Sequence, residues 1–160
     1  MTKCLACSDG NRYIEPYGDR SARFAVVGEG PVDAHPDEST AAFGLDISPR
    51  VRSGKVLERV FEELDVSMDD VYFTNVFKCV NERPDECARA LRRELRGFGK
   101  VLVLGNAAAD AMEAGGLEFD RQLWHPAYIL RNDARFLEYV AAWESATSPP
   151  DGQAGLDAFL

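Results

Sequence analysis

The chain has 160 residues, 46% hydrophobic and 10% aromatic, which suits one domain with a buried core and excludes both a second full-size domain and a disordered polymer. Its 18 basic and 27 acidic residues leave a net charge of −9, which excludes a protein that coats nucleic acid through its overall field, so any contact with DNA must be local. The apolar runs fall far short of the roughly 18 residues a membrane helix needs and no charged-then-apolar leader opens the chain, so a cytoplasmic protein without membrane contact is expected.

In chain order, residues 1–20 mix Cys, Gly, Pro and charge without periodicity and read as an irregular arm, ordered only by whatever Cys4 and Cys7 bind. Phe24-Ala25-Val26-Val27, ending at Gly28, reads as a buried strand. Val56, Leu57, Val60, Phe61 and Leu64 then recur at helical spacing, with Ser53 as the expected cap. Val71-Tyr72-Phe73-Thr74 is a second strand, Ala88, Leu91 and Leu95 mark a second helix, and Val101-Leu102-Val103-Leu104 before Gly105 is a third strand. Asn106 to Ala114 reads as a helix stopped by Gly115-Gly116, a short strand falls between Phe119 and Trp124, and Phe136 to Trp143 forms a closing helix. The alternation predicts a three-layer α/β/α sandwich around a mainly parallel four-stranded sheet, with an arm at 1–20, a core at 21–144 and a flexible tail at 145–160. Such sheets hold ligands at the carboxyl ends of their strands, where Glu29, Asn75, Asn106 and His125 stand.

Cys4-x-x-Cys7 is joined by Cys79 and Cys87, which uses every cysteine of the chain. In a reducing compartment four thiolates suit zinc or an iron-sulfur cluster better than disulfides. Structural zinc prefers two close pairs, and the seven residues between Cys79 and Cys87 are wider than its usual spacing. Gly28-Glu29-Gly30-Pro31 shares only its glycines with a phosphate loop; a plain turn with a solvated carboxylate has the same residues. From Val76 to Lys100 seven basic residues stand against four acidic ones, a local charge of +3. Arg89, Arg92, Arg93, Arg96 and Lys100 recur there at helical spacing opposite Leu91 and Leu95, forming either a face for phosphates or a solvated surface.

Six blocks then occur in order: Cys4-x-x-Cys7; Phe24 to Pro31 as F-x-V-V-G-E-x-P; Arg52-Ser53-Gly54 with Leu57; Val71 to Cys79 as V-Y-x-T-N-V-x-K-C; Val101 to Ala108 as V-L-x-L-G-x-x-A; and His125 to Arg131 as H-P-A-Y-x-L-R. Together they resemble the iron-sulfur (family 4) uracil-DNA glycosylases, over residues 4 to about 143. The resemblance implies the α/β/α glycosylase fold, a 4Fe-4S cluster held by Cys4, Cys7, Cys79 and Cys87 (zinc being the alternative), and excision of uracil from DNA in base-excision repair by a monomeric, monofunctional enzyme. The chain departs from the family at Gly30-Pro31-Val32, in the absence of an acidic pair near His35-Pro36, in an insertion from Gly44 to Val51, and in a shorter Cys79-to-Cys87 span. These departures keep open a repair-accessory protein that binds DNA without catalysis.

The residue types fit the implied roles. A glycosylase flips a nucleotide from the stack and recovers that cost in a pocket that stacks and reads the base. Phe43 is the implied stacking platform, and Gly28 and Gly30 line the pocket. The carboxamide of Asn75 can donate to uracil O4 and accept from N3-H, a pattern that cytosine inverts. His125 is the donor to uracil O2 by resemblance, a capped structural histidine being the plain alternative, and Glu29 is the candidate to orient water. Arg52, Ser53, Arg89 and Arg93 are assigned to DNA, with Leu130 and Arg131 filling the gap left by the flipped base. The final residues Gln153, Leu156, Phe159 and Leu160 match the pattern Q-x-x-L-x-x-F-F/Y/L, resembling the sliding-clamp peptide of archaeal and eukaryotic repair proteins. An acidic surface with only four lysines among its basic residues, together with that peptide, points to a halophilic archaeon or one of its viruses.

Overall fold

Four short segments form the sheet: β1 (Phe24–Gly28), β2 (Val71–Asn75), β3 (Val101–Leu104) and β4 (Arg121–Leu123), ordered β2-β1-β3-β4 with every neighbouring pair parallel. The computed structural model describes residues 13–30, 41–46, 52–78, 84–131 and 134–148. The first three strands are buried along their whole length, which is why they read as unbroken apolar runs. In β4 only Leu123 is buried.

The helices are α1 (Arg52–Glu63), α2 (Pro84–Glu94), α3 (Asn106–Ala114) and α4 (Ala134–Thr147). Successive strand residues point to opposite faces, so β1 sends Phe24 and Val26 one way and Ala25 and Val27 the other. On the first face Phe73, Leu102 and Leu104 meet Val56, Leu57, Val60 and Phe61 of α1 and Phe136, Tyr139 and Trp143 of α4. On the second, Tyr72 and Val103 meet Ala88 and Leu91 of α2 and Ala108, Ala109 and Met112 of α3. The chain is therefore the expected three-layer sandwich. Among the described residues no helix is long and apolar enough to cross a membrane.

Two expectations change in detail. Helix α1 begins at Arg52, so Ser53 sits within its first turn instead of preceding it as a cap. The arm is not wholly dependent on a bound group. Tyr17 and Phe73 exchange backbone hydrogen bonds of 2.8 and 2.7 Å, and the Ile14 amide donates to the Lys78 carbonyl at 2.6 Å. The reason is that β2 ends the sheet: its outer amides and carbonyls need partners, and residues 14–17 supply them.

Beneath β2 lies a buried polar knot. The Lys78 ammonium, 1% exposed, is 2.6 Å from the Glu94 carboxylate, itself 8% exposed, and also donates to the Thr74 hydroxyl. The Tyr72 hydroxyl donates to the other Glu94 oxygen at 2.9 Å, and Arg20 donates to the Glu94 backbone carbonyl at 2.8 Å. Burial lowers the Lys78 pKa, with Glu94 opposing that shift, and burial pushes the Tyr72 phenol well above its usual range. Removing one member of such a pair strands the other charge without solvent. Lys78→Met should therefore cost roughly 3–5 kcal/mol of stability in urea unfolding. Lys78→Met/Glu94→Gln should recover at least half of that loss; a single variant within about 1 kcal/mol of wild type would show that the pair contributes little.

Candidate active site at the carboxyl ends of the strands

β1 leads to β2 on one side of itself, and the chain then returns to β3 on its other side, so the direction of winding reverses between β1 and β3. In open α/β sheets the crevice outside the strand ends at this reversal is where ligands bind. Strand register aligns the candidates there: Gly28 is paired with Asn75, and Leu104, just before Gly105, with Leu123.

Gly28 is required by its surroundings. A Cβ at this position would lie 2.6 Å from Phe43 Cζ and 2.9 Å from Asn75 Oδ1, so the missing side chain lets an aromatic ring and an amide crowd the end of β1. Phe43 reaches this place in a left-handed conformation, φ 56° and ψ 15°, inside the 3-10 turn Ala42–Gly44. A non-glycine residue held so costs on the order of 1–3 kcal/mol, and such strain persists where the surroundings over-determine it. Phe43 is half-buried and meets Phe73 edge-on at 6.0 Å between ring centres. Asn75 is 5% exposed, and its amide makes no hydrogen bond among the described residues, leaving its pairing capacity for a ligand.

Past the strands, the Val76 and Phe77 amides donate to the carbonyls of Gly28 and Glu29 at 2.8 and 2.9 Å, keeping the two strand ends together. Gly30 packs against the Phe77 side chain. The Glu29 carbonyl accepts from the Phe77 amide, while its side chain is exposed.

His125 follows β4 and leans over Gly105, where a Cβ would lie 3.0 Å from His125 Cβ. That contact places His125 beside the end of β3, two strands over from the backbone of Asn75, while the Asn75 amide reaches toward it over Gly28 on β1. The Ala127 amide donates to His125 Nδ1 at 3.1 Å. Nδ1 is thus an acceptor, and in the neutral ring the proton sits on Nε2. Desolvation lowers the His125 pKa below its ordinary 6.5, so the ring is a neutral Nε2-H donor at pH 7.

Other predicted residues are placed as follows. Arg52 and Ser53 open α1, exposed and half-buried, at the site end of the sheet; α1 packs against the 3-10 turn Pro126–Arg131 that contains Leu130 and Arg131. Arg89 and Arg93 are exposed, but α2 runs back from the site end of β2, so Arg93 on its last turn points to the far end of the sheet. The basic face is also smaller than its sequence suggests: Lys78 is buried against Glu94, Arg92 donates to the Gly115 carbonyl, and Lys100 to those of Ala146 and Ser148. A separate cleft lined by Glu58, Glu62, Asp65, Asp69 and Asp70 would repel phosphates.

Cys87 is fully buried in α2, near enough to the Lys78 ammonium to raise its pKa. Cys4, Cys7 and Cys79 lie outside the described residues, as do Gln153, Leu156, Phe159 and Leu160. The Ile14-to-Lys78 hydrogen bond nevertheless ties the chain seven residues after Cys7 to the residue before Cys79, and Lys78 is also the neighbour of Cys87. Of the four cysteines only Cys87 is among the described residues, and among those residues no group of three or more His, Cys, Asp and Glu is gathered as metal ligands would be.

The features not anticipated from sequence are the Lys78–Glu94 pair, the packing of His125 on Gly105, and an exposed Trp124. Gly105 was visible as a strand-end glycine, and Lys78 as a lysine in an otherwise apolar segment, but neither partner is near in sequence.

Because the folded pKa of His125 lies below the unfolded one, the unfolded chain takes up the proton first as pH falls. Its neutral form adds stability above the unfolded value, and that contribution is lost as pH falls toward the folded pKa. Nitrogen-15 NMR should show a His125 midpoint below 6.5 and the Nε2-H tautomer at pH 7; a higher midpoint or an Nδ1-H ring would contradict the hydrogen bond from Ala127.

Comparison with protein-family models agrees with the geometry: residues 15–147 match the uracil DNA glycosylase superfamily. The match covers the four strands and four helices of the described residues, with Gly28, Phe43, Asn75 and His125, and the chain belongs to that superfamily.

Proposed function

We propose that this protein hydrolyses the N-glycosidic bond of deoxyuridine in DNA and releases uracil as the first step of base-excision repair. The observation that carries the reading is the strained Phe43 ring pressed on Gly28 beside an Asn75 amide with unused hydrogen-bonding capacity. A flipped uracil stacked on Phe43 would receive a hydrogen bond at O4 from the Asn75 amide and donate N3-H to its carbonyl. Cytosine presents the reverse pattern, which mispairs an amide held in this orientation; the discrimination therefore depends on the pocket preventing the amide from turning over.

As the glycosidic bond breaks, negative charge collects on uracil O2, and the Nε2-H of His125 would donate to it. A neutral donor suits this task, because it stabilises the anion without giving up its proton. The Glu29 carboxylate would orient water toward the oxocarbenium-like sugar. Arg52 and Ser53 stand at the first turn of α1, where amides and helix dipole favour a phosphate, and Leu130 and Arg131 would fill the vacated stack.

Asn75→Ala and His125→Ala should each lower single-turnover excision from a uracil oligonucleotide by at least about 100-fold while DNA binding changes little. Wild-type rates in both variants would remove the chemistry from these residues, and an inactive wild-type protein that binds DNA would leave only an accessory role.

Cys4, Cys7, Cys79 and Cys87 would hold a 4Fe-4S cluster, zinc being the alternative, which would cross-link the arm to α2 and take no part in base removal. Freshly purified protein should be brown with broad visible absorption; colourless protein with stoichiometric zinc would decide for zinc. Gln153, Leu156, Phe159 and Leu160 would dock on a sliding clamp, raising the local concentration of enzyme at DNA.

A further inference from the structure

Only two tryptophans occur in the chain, and they are opposite in kind: Trp143 is fully buried, whereas Trp124 is 50% exposed. Trp124 immediately precedes His125 at the site end of the sheet. Its backbone is fixed from several directions. Leu123 before it is buried in β4, His125 after it is packed on Gly105, and the buried Tyr139 hydroxyl donates to the Trp124 carbonyl at 2.8 Å. With its backbone held this way, an indole half open to water has little main-chain freedom left to lose on binding. The Arg135 guanidinium lies 5.8 Å from its ring centre, adding a cation to the same surface.

The geometry points to Trp124, backed by Arg135, as a stacking platform for an unpaired nucleobase of single-stranded DNA beside the flipped nucleotide. It rests on the proposed action on DNA and adds a preference which that reading leaves open. Every base offers a flat face, so stacking needs no sequence, but in a duplex those faces are covered by neighbouring pairs. A rim aromatic therefore favours the strand whose bases are free. A second copy of this chain is the weaker occupant, because an equally acidic partner would be repelled and the patch adjoins the His125 turn.

The test is fluorescence titration of the full-length protein with a uracil-free oligonucleotide, single-stranded or annealed to its complement. The single strand should quench the exposed Trp124 and leave the buried Trp143 as residual emission. Trp124→Ala should abolish the quench and weaken single-strand affinity about 5- to 100-fold, with less than about 3-fold change for duplex, and Trp124→Phe should restore part of the loss. Equal weakening for both forms, or none, would overturn the platform. So would self-association of the wild type that Trp124→Ala removes. Uracil excision assayed on the same wild-type preparation separates the two readings. Quenching without excision would sink the glycosylase reading and leave the platform standing, whereas excision without quenching would sink the platform alone.

Discussion

The Lys78–Glu94 ion pair is the point on which the separate parts of this molecule are fastened. Glu94 closes α2, Lys78 follows the strand that ends in Asn75, Thr74 and Tyr72 belong to that strand, and Arg20 and Ile14 bring the arm to the same place. A buried pair is poor evidence for net stability, since apolar residues of like volume often do as well. What it does supply is an arrangement with few substitutes: an ammonium buried to 1% must find its carboxylate and hydroxyl, and it can do so only when α2, β2 and the following turn are in register. The same register holds the end of β2 beside β1, on which the placement of Asn75 depends.

At the other end of that strand the site is built by absence. Gly28 and Gly105 each leave the volume of one side chain empty, and Phe43 with Asn75 fills the first space while His125 fills the second. The strain of Phe43 fits this view: its left-handed backbone is tolerated because Gly28 admits the ring and Phe73 supports it edge-on. A larger residue at Gly28 would displace Phe43 and Asn75 together, so the glycine shapes this strand end although it contributes no functional group.

The sheet and helices were legible because their signals are local. Unbroken apolar runs gave β1 to β3 within a residue of their bounds, and the Asn106 to Ala114 helix ends where Gly115 follows. The strand-end rule brought Asn75 and His125 to one edge, and the glycines beside them explain why. What the sequence could not reveal depends on pairs far apart in the chain. Lys78 and Glu94 look like members of a surface charge run until the fold turns both inward, and Arg92 and Lys100 leave the same run to bond carbonyls. The order of residues 13–17 was missed for a similar reason, since nothing in them announces that β2 has an unpaired edge to offer.

That redistribution of charge alters how an acidic protein can hold DNA. With Arg93 of α2 set toward the far end of the sheet, the described cations at the site edge are few: Arg52 and Lys55 on α1 and Arg135 on α4. Phosphate contacts alone would be weak there and would fade as salt rises, because their free energy is largely counterion release. Stacking has no such dependence, being driven by contact between π-faces and loss of apolar surface to water. At an ionic strength near 1 M, where the screening length shrinks to about 3 Å, repulsion from the remaining net charge is also suppressed. Under those conditions the proposed stacking on Phe43 inside the pocket and on Trp124 at its rim would become the dominant source of affinity, and the chain would keep an acidic surface without losing its hold on a nucleic acid.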